Sequence, residues 1–167
     1  MSAVLTLRAE PLTADAFAAF GDVIETAGRD SFQINQGMAD RYHDLARVET
    51  LGADARTAVS WVHARPEQAP VTLRLMERHP HGSQIFMPLG PQPFIVVVAA
   101  GTEPPARDTL RAFVSNGHQG VNYRRGVWHH PMIALEAPTD FLVVDREGER
   151  PNCDEVAIAG GAVAVTL

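Results

Sequence analysis

The sequence predicts an all-β fold, a sandwich or barrel of short strands with one short helix near the N-terminus. Three observations predict it. Apolar residues take helical spacing only once, before residue 21. Eight short runs follow that are strand-like in length and apolar patterning. Turn signals separate them, among them Gly90-Pro91, Gly101 with Pro104-Pro105, Asn116-Gly117 and Glu147-Gly148. Neither a repeat nor a linker divides the 167 residues, so a single domain over 1–167 is expected.

The helix is expected over residues 14–20, with Thr13 as its N-cap and Gly21 as the residue that ends it. The strands are expected at 56–63, 71–79, 84–89, 94–99, 109–114, 132–135, 140–145 and 162–167. The run at 94–100 is the longest apolar one and is far too short to cross a bilayer. Residues 1–7 lack a basic region followed by an apolar run, so a cytoplasmic location is expected.

Composition narrows the chemistry. The hydrophobic fraction is 46% and the charged fraction 20%, as in an ordinary soluble domain. A net charge of −6 argues against a nucleic-acid backbone as partner. All 14 basic residues are Arg, which rules out lysine Schiff-base chemistry and a Walker phosphate loop. Cys153 is the only cysteine, so no disulfide forms within the chain, and it reads as a passive thiol beside a turn.

Two polar clusters interrupt the apolar pattern. In the first, odd positions of 71–79 read Val71, Leu73, Leu75, Glu77 and His79. On a strand these share one face, which is apolar and then presents a carboxylate and an imidazole. Gln84 returns to the same space if the chain resumes as a strand after residues 80–83. Glu77 must then be paired, bind a cation or face water, because an unpaired buried carboxylate costs several kcal/mol. The second cluster runs from Phe113 to Pro131 and holds Asn122, Tyr123, Arg124, Arg125, Trp128, His129 and His130 among three glycines. Adjacent histidines on an extended chain point in opposite directions, so one of His129 and His130 faces inward, as ligand or as acid–base group. His63 reads as a semi-buried structural histidine and His81 as an exposed turn residue. Residues 41–44, Arg-Tyr-His-Asp, form either a pinning loop with Asp44 paired to Arg41 or part of a site.

The spacing Glu77-x-His79-x4-Gln84 resembles the first motif of the cupin barrels, and Arg124-x-Gly126-x2-His129 resembles the second. A closer resemblance runs in order along nearly the whole chain. Its segments are Phe20-Gly21-Asp22-Val23-Ile24, Ile34-Asn35 with Arg41-Tyr42-His43-Asp44, Glu77-Arg78-His79-Pro80, Leu110-Arg111-Ala112-Phe113, Gln119-Gly120-Val121-Asn122-Tyr123, Val127-Trp128-His129-His130-Pro131, Thr139-Asp140-Phe141-Leu142 and Asp145-Arg146 with Asn152-Cys153. These resemble the ureidoglycolate lyases. The sequence departs from that family at His118 and Arg124, where the family often carries glutamate and histidine.

The resemblance implies a cupin-like β-barrel or jelly roll, a homodimer, a divalent metal (nickel in particular) and cleavage of (S)-ureidoglycolate to glyoxylate and urea in allantoin degradation. Catalytic roles then fall to His129, Glu77 and Tyr123, and metal ligation to Glu77, His79, Gln84 and His129. Ser83, Asn122, Arg124 and Arg125 become candidate donors to the substrate carboxylate. The alternatives are another metal-dependent cupin enzyme and a carboxylate-binding barrel without turnover. Neither a nucleic acid nor a membrane is expected as partner.

Overall fold

In the computed structural model, which describes residues 3–101 and 103–167, the Phe94–Ala99 strand is buried at every position. It lies between two cores and explains the layering. Its even residues, Phe94, Val96 and Val98, pack with Phe17, Phe20, Phe86, Phe113, Val121, Tyr123, Phe141 and Val143. Its odd residues, Ile95, Val97 and Ala99, pack with Val71, Leu73, Met76, Trp128, Ile133, Leu135, Val163 and Val165. An uninterrupted apolar run is what a strand covered on both faces requires.

Two five-stranded sheets face each other across the first core. One is ordered Gly21–Ile24, Gly120–Tyr123, Gln84–Pro88, Thr139–Glu147 and Arg56–Ala64, antiparallel throughout. The other is ordered Glu10–Pro11, Leu110–Val114, Phe94–Ala99, Ile133–Leu135 and Pro66–Glu67. A three-stranded sheet of Leu5–Arg8, Val163–Thr166 and Val71–Thr72 covers the second core. Among the described residues the fold is therefore all-β apart from one short α-helix and two single-turn 3-10 helices, as the sequence predicts.

Several expectations need correction. The α-helix is only Ala14–Phe17, capped as expected by Thr13 Oγ1, which accepts from Ala16 N at 3.2 Å. Gly21 does not end it but opens the Gly21–Ile24 strand. The run at 71–79 is two strands, Val71–Thr72 and Met76–Arg78, and the buried positions pass from odd to even between them, because Met76 joins the second core. Glu77 and His79 are thereby turned away from that core. The Gly120–Tyr123 strand, second in its sheet and paired on both sides, is not among the strands the pattern predicts. Of the residues in the leader reading, Met1 and Ser2 lie outside the described residues. Among the described residues no helix is long and apolar enough to cross a membrane.

Gly21 is a requirement of the pairing. It sits opposite Tyr123, and a Cβ there would lie 1.8 Å from the Asn122 carbonyl oxygen. That neighbour is backbone in the middle of a sheet and does not yield cheaply. Gly21→Ala is expected to destabilise by about 3 kcal/mol, read as a lower urea midpoint. An unchanged midpoint would show that this strand moves freely.

Candidate active site

His129 is held by backbone on two sides. Its N–H donates to Glu77 O (2.8 Å) and its carbonyl accepts from Glu77 N (2.7 Å). The neighbouring bonds from Ala99 N to Trp128 O and from His130 N to Val97 O fix the other side. This places the Glu77 and His129 side chains together. Nδ1 of His129 lies 3.8 Å from Glu77 Oε1, and Nε2 of His79 lies 4.0 Å from the same oxygen. The His129 ring, 1% exposed, stacks on Tyr123 with centroids 4.0 Å apart and planes 3° from parallel.

Burial dictates the electrostatics. The Glu77 carboxyl is pushed up from its ordinary value, mainly by desolvation and partly by Glu155, while His79 pulls it back. Desolvation, with a smaller contribution from His79, holds the His129 imidazole down at about 3, so it is neutral near pH 7. Tyr123 is pushed up by burial and by the Glu77 charge and stays a phenol.

The donor set fits a divalent cation. His79 Nδ1 donates to the Asn152 carbonyl at 2.6 Å, which leaves Nε2 as a lone pair facing Glu77. His79 Nε2, His129 Nε2 and Gln84 Oε1 are all buried without a hydrogen-bond partner among the described residues. One ligand atom each from Glu77, His79 and His129 lies within 4.8 Å of the others. Orphaned buried acceptors cost free energy that coordination would recover. Gln84, opposite Tyr123 in the next strand, donates from Nε2 to Asp145 at 3.4 Å and keeps its oxygen free.

His79 also borders a cavity of about 390 Å³, whose wall includes Asp145, Arg146, Asn152 and Cys153. Arg146 ties this wall down from beneath. Its Nε donates to Leu51 O (2.7 Å) and its Nη1 to Arg150 O (3.2 Å). Gly82 and Gly148 make room for it, since a Cβ at either would lie 2.6 or 2.7 Å from an Arg146 atom.

The structure thus brings together Glu77, His79, His129 and Tyr123, with Gln84 one strand away. It does not bring the proposed carboxylate donors to them. Asn122 points out of the opposite face from Tyr123, and it lines another cavity with Arg124. Ser83 Oγ is occupied by Glu49 N at 2.8 Å. Arg125 is exposed and donates to Pro80 O at 3.4 Å. His130 is as buried as His129, at 1%, but on the other side. Its Nε2 accepts from Arg74 N and its Nδ1 donates to Pro131 O, so it is a satisfied core histidine and not an outward or interface residue. His63 is exposed and paired with Asp140, not semi-buried. Glu77 has no arginine partner, and no ion pair joins Arg41 to Asp44, among the described residues.

Two site residues escaped the sequence reading. Asn152 orients His79 through its carbonyl and takes the His81 N–H on its side chain at 2.8 Å. Cys153, read as a passive thiol, has its Sγ 4.0 Å from Glu77 Oε2. Asp154–Val156 pairs with Met76–Arg78, which carries both residues to the site, and nothing in the local pattern at 152–156 announces that pairing.

Facing β-sheets that enclose a carboxylate, two imidazoles and a phenol define a cupin-like barrel protein. A model of the ureidoglycolate lyase family matches residues 4–165. Ureidoglycolate lyases of Pseudomonas aeruginosa and Pseudomonas syringae pv. tomato are each 55% identical over 150 residues, which is 90% of this chain and 89% and 88% of theirs. That of Pseudomonas putida is 54% identical over 90% of both chains. The chain belongs to the ureidoglycolate lyase family.

Proposed function

We propose that this chain is a cytoplasmic carbon–nitrogen lyase that splits (S)-ureidoglycolate into glyoxylate and urea, a nitrogen-releasing step of allantoin degradation. One observation carries the reading. A desolvated carboxylate, Glu77, stands between two histidines and a buried phenol, in a chain 55% identical to proteins named for this reaction.

The reaction needs a base for the substrate hydroxyl and a proton for the departing nitrogen. With no ion bound, Glu77, with its raised pKa, is the base, and the hydroxyl's C–O bond becomes the glyoxylate carbonyl as the C–N bond breaks. The proton that Glu77 takes is the one the urea nitrogen requires. Tyr123, held as a phenol, donates a hydrogen bond to that nitrogen. His129 is neutral and offers a lone pair inside the barrel. A divalent ion, nickel by family resemblance, would be held by Glu77, His79 and His129 with Gln84 Oε1 as a further ligand. When bound, such an ion lowers the pKa of a coordinated hydroxyl.

The test is to supply racemic ureidoglycolate and follow glyoxylate and urea together. Equal amounts of both are expected, from one half of the racemate. Ammonia in place of urea would overturn the lyase reading.

The working form is a homodimer, and the support is an apolar stripe on the outer sheet. Val59 and Trp61, 67% and 65% exposed, lie beside Val144 and Leu142, which lie beside Ile85 and Met87. A stripe of this kind across three strands is unusual on a monomer's surface. Trp61→Glu is expected to halve the mass found by light scattering. A dimer that persists in the variant would place the interface elsewhere.

A further inference from the structure

A second polar cavity, of about 320 Å³, is walled by Asp22, Arg47, Glu49, Asn122 and Arg124. It lies across the Gly120–Tyr123 strand from the Glu77 cluster. Alternation sends Tyr123 inward and Asn122 outward. An outward residue normally meets water, yet Asn122 is 2% exposed. The chain at Arg47 crosses it: Asn122 Nδ2 donates to the Arg47 carbonyl and to Asp22 Oδ2, each at 2.9 Å. Those two bonds settle the amide's orientation. Turned over, its oxygen would face a carbonyl and a carboxylate. Asn122 Oδ1 is consequently buried with no partner among the described residues.

The cations around it are unspent, whereas each carboxylate has one oxygen in use: Asp22 Oδ2 accepts from Asn122 Nδ2, and Glu49 Oε2 accepts from Arg125 N at 2.9 Å. Arg47 is anchored by its backbone N–H, which donates to Asp22 Oδ2 at 3.2 Å. Its guanidinium has no hydrogen bond or ion pair among the described residues. Arg124 makes one long bond, 3.4 Å, to Ala18 O. Neither arginine is paired with Asp22 or Glu49. The wall therefore balances two cations against two anions without joining them, and adds an orphan acceptor. Its size is that of a small-ligand site.

We propose that this cavity binds a small carboxylate that also carries N–H donors, a ureido acid. Arg47 and Arg124 take the carboxylate, and Asn122 Oδ1 with Asp22 takes the N–H groups. A simple anion would leave the orphan acceptor unmet, and urea would leave both guanidiniums unmet. The site is separate from the interior one, and an occupant here reports on substrate-like ligands without being cleaved.

The test titrates the full chain with N-carbamoylglycine by calorimetry, beside acetate and urea. In the Glu77→Gln protein one binding event per chain is expected to remain. Arg47→Ala and Arg124→Ala should each weaken that event at least tenfold, and acetate and urea should bind at least tenfold more weakly than the ureido acid. Arg47→Ala keeps both backbone bonds, so circular dichroism should show the fold intact. Loss of the event in Glu77→Gln, unchanged affinity in Arg47→Ala, or equal binding of acetate would each overturn the proposal. Binding is read without turnover, so a failure of the lyase reading leaves this result standing.

Discussion

Glu77→Gln is expected to lower kcat/KM for glyoxylate release by about 10³-fold, or about 4 kcal/mol of transition-state stabilisation. The substitution keeps the shape and removes the base. Glutamine can still occupy the space beside His79 Nε2 and His129 Nδ1, so the two histidines need not move. Stability should hold or rise, because the wild-type carboxylate is desolvated and lies directly across the strand pair from Glu155. The two readouts together separate a chemical role from a structural one. A variant that retains more than a tenth of wild-type kcat/KM would remove Glu77 from the chemistry. A variant with a sharply lower urea midpoint would show a residue that holds the fold.

The β architecture was legible because burial on both faces leaves a plain trace, as in the apolar run of Phe94–Ala99. The Glu77, His79 and His129 cluster was legible through spacing, since two short motifs fix which residues emerge at a strand end. What stayed hidden was set by long-range pairing. The Gly120–Tyr123 strand carries a glycine, an asparagine and a tyrosine, and its strand character comes from neighbours on both sides, Gly21–Ile24 and Gln84–Pro88. Without that strand, the opposite directions of Asn122 and Tyr123 could not be seen, and both were assigned to one site. His130 misled for a related reason. Alternation correctly turned it away from His129, but its far side is a second core under a third sheet, not solvent. Asn152 and Cys153 reach the site only because Asp154–Val156 returns to pair with Met76–Arg78, over 70 residues back.

In metal-free protein, His129 is expected to make stability fall steeply as the solution is acidified from neutrality. The unfolded imidazole takes a proton near its ordinary value of 6.5, and the folded one only near 3. Across that window the unfolded state binds more protons, so unfolding gains as pH drops. The stability attributable to the buried neutral ring is complete above 6.5 and is lost progressively toward 3. From pH 6.5 to 5 alone the loss is about 2 kcal/mol, at about 1.4 kcal/mol per pH unit. Glu77 acts in the opposite sense. Its folded pKa is raised, so it costs stability when ionised and returns it as pH falls through that raised value. The comparison is therefore cleanest between Glu77→Gln and Glu77→Gln with His129→Gln. Urea unfolding at pH 7 and pH 5 should show the steeper decline only where His129 is present. Equal declines in the two proteins would mean that the imidazole is protonated in the folded state, and Glu77 would then face a cation instead of a neutral ring.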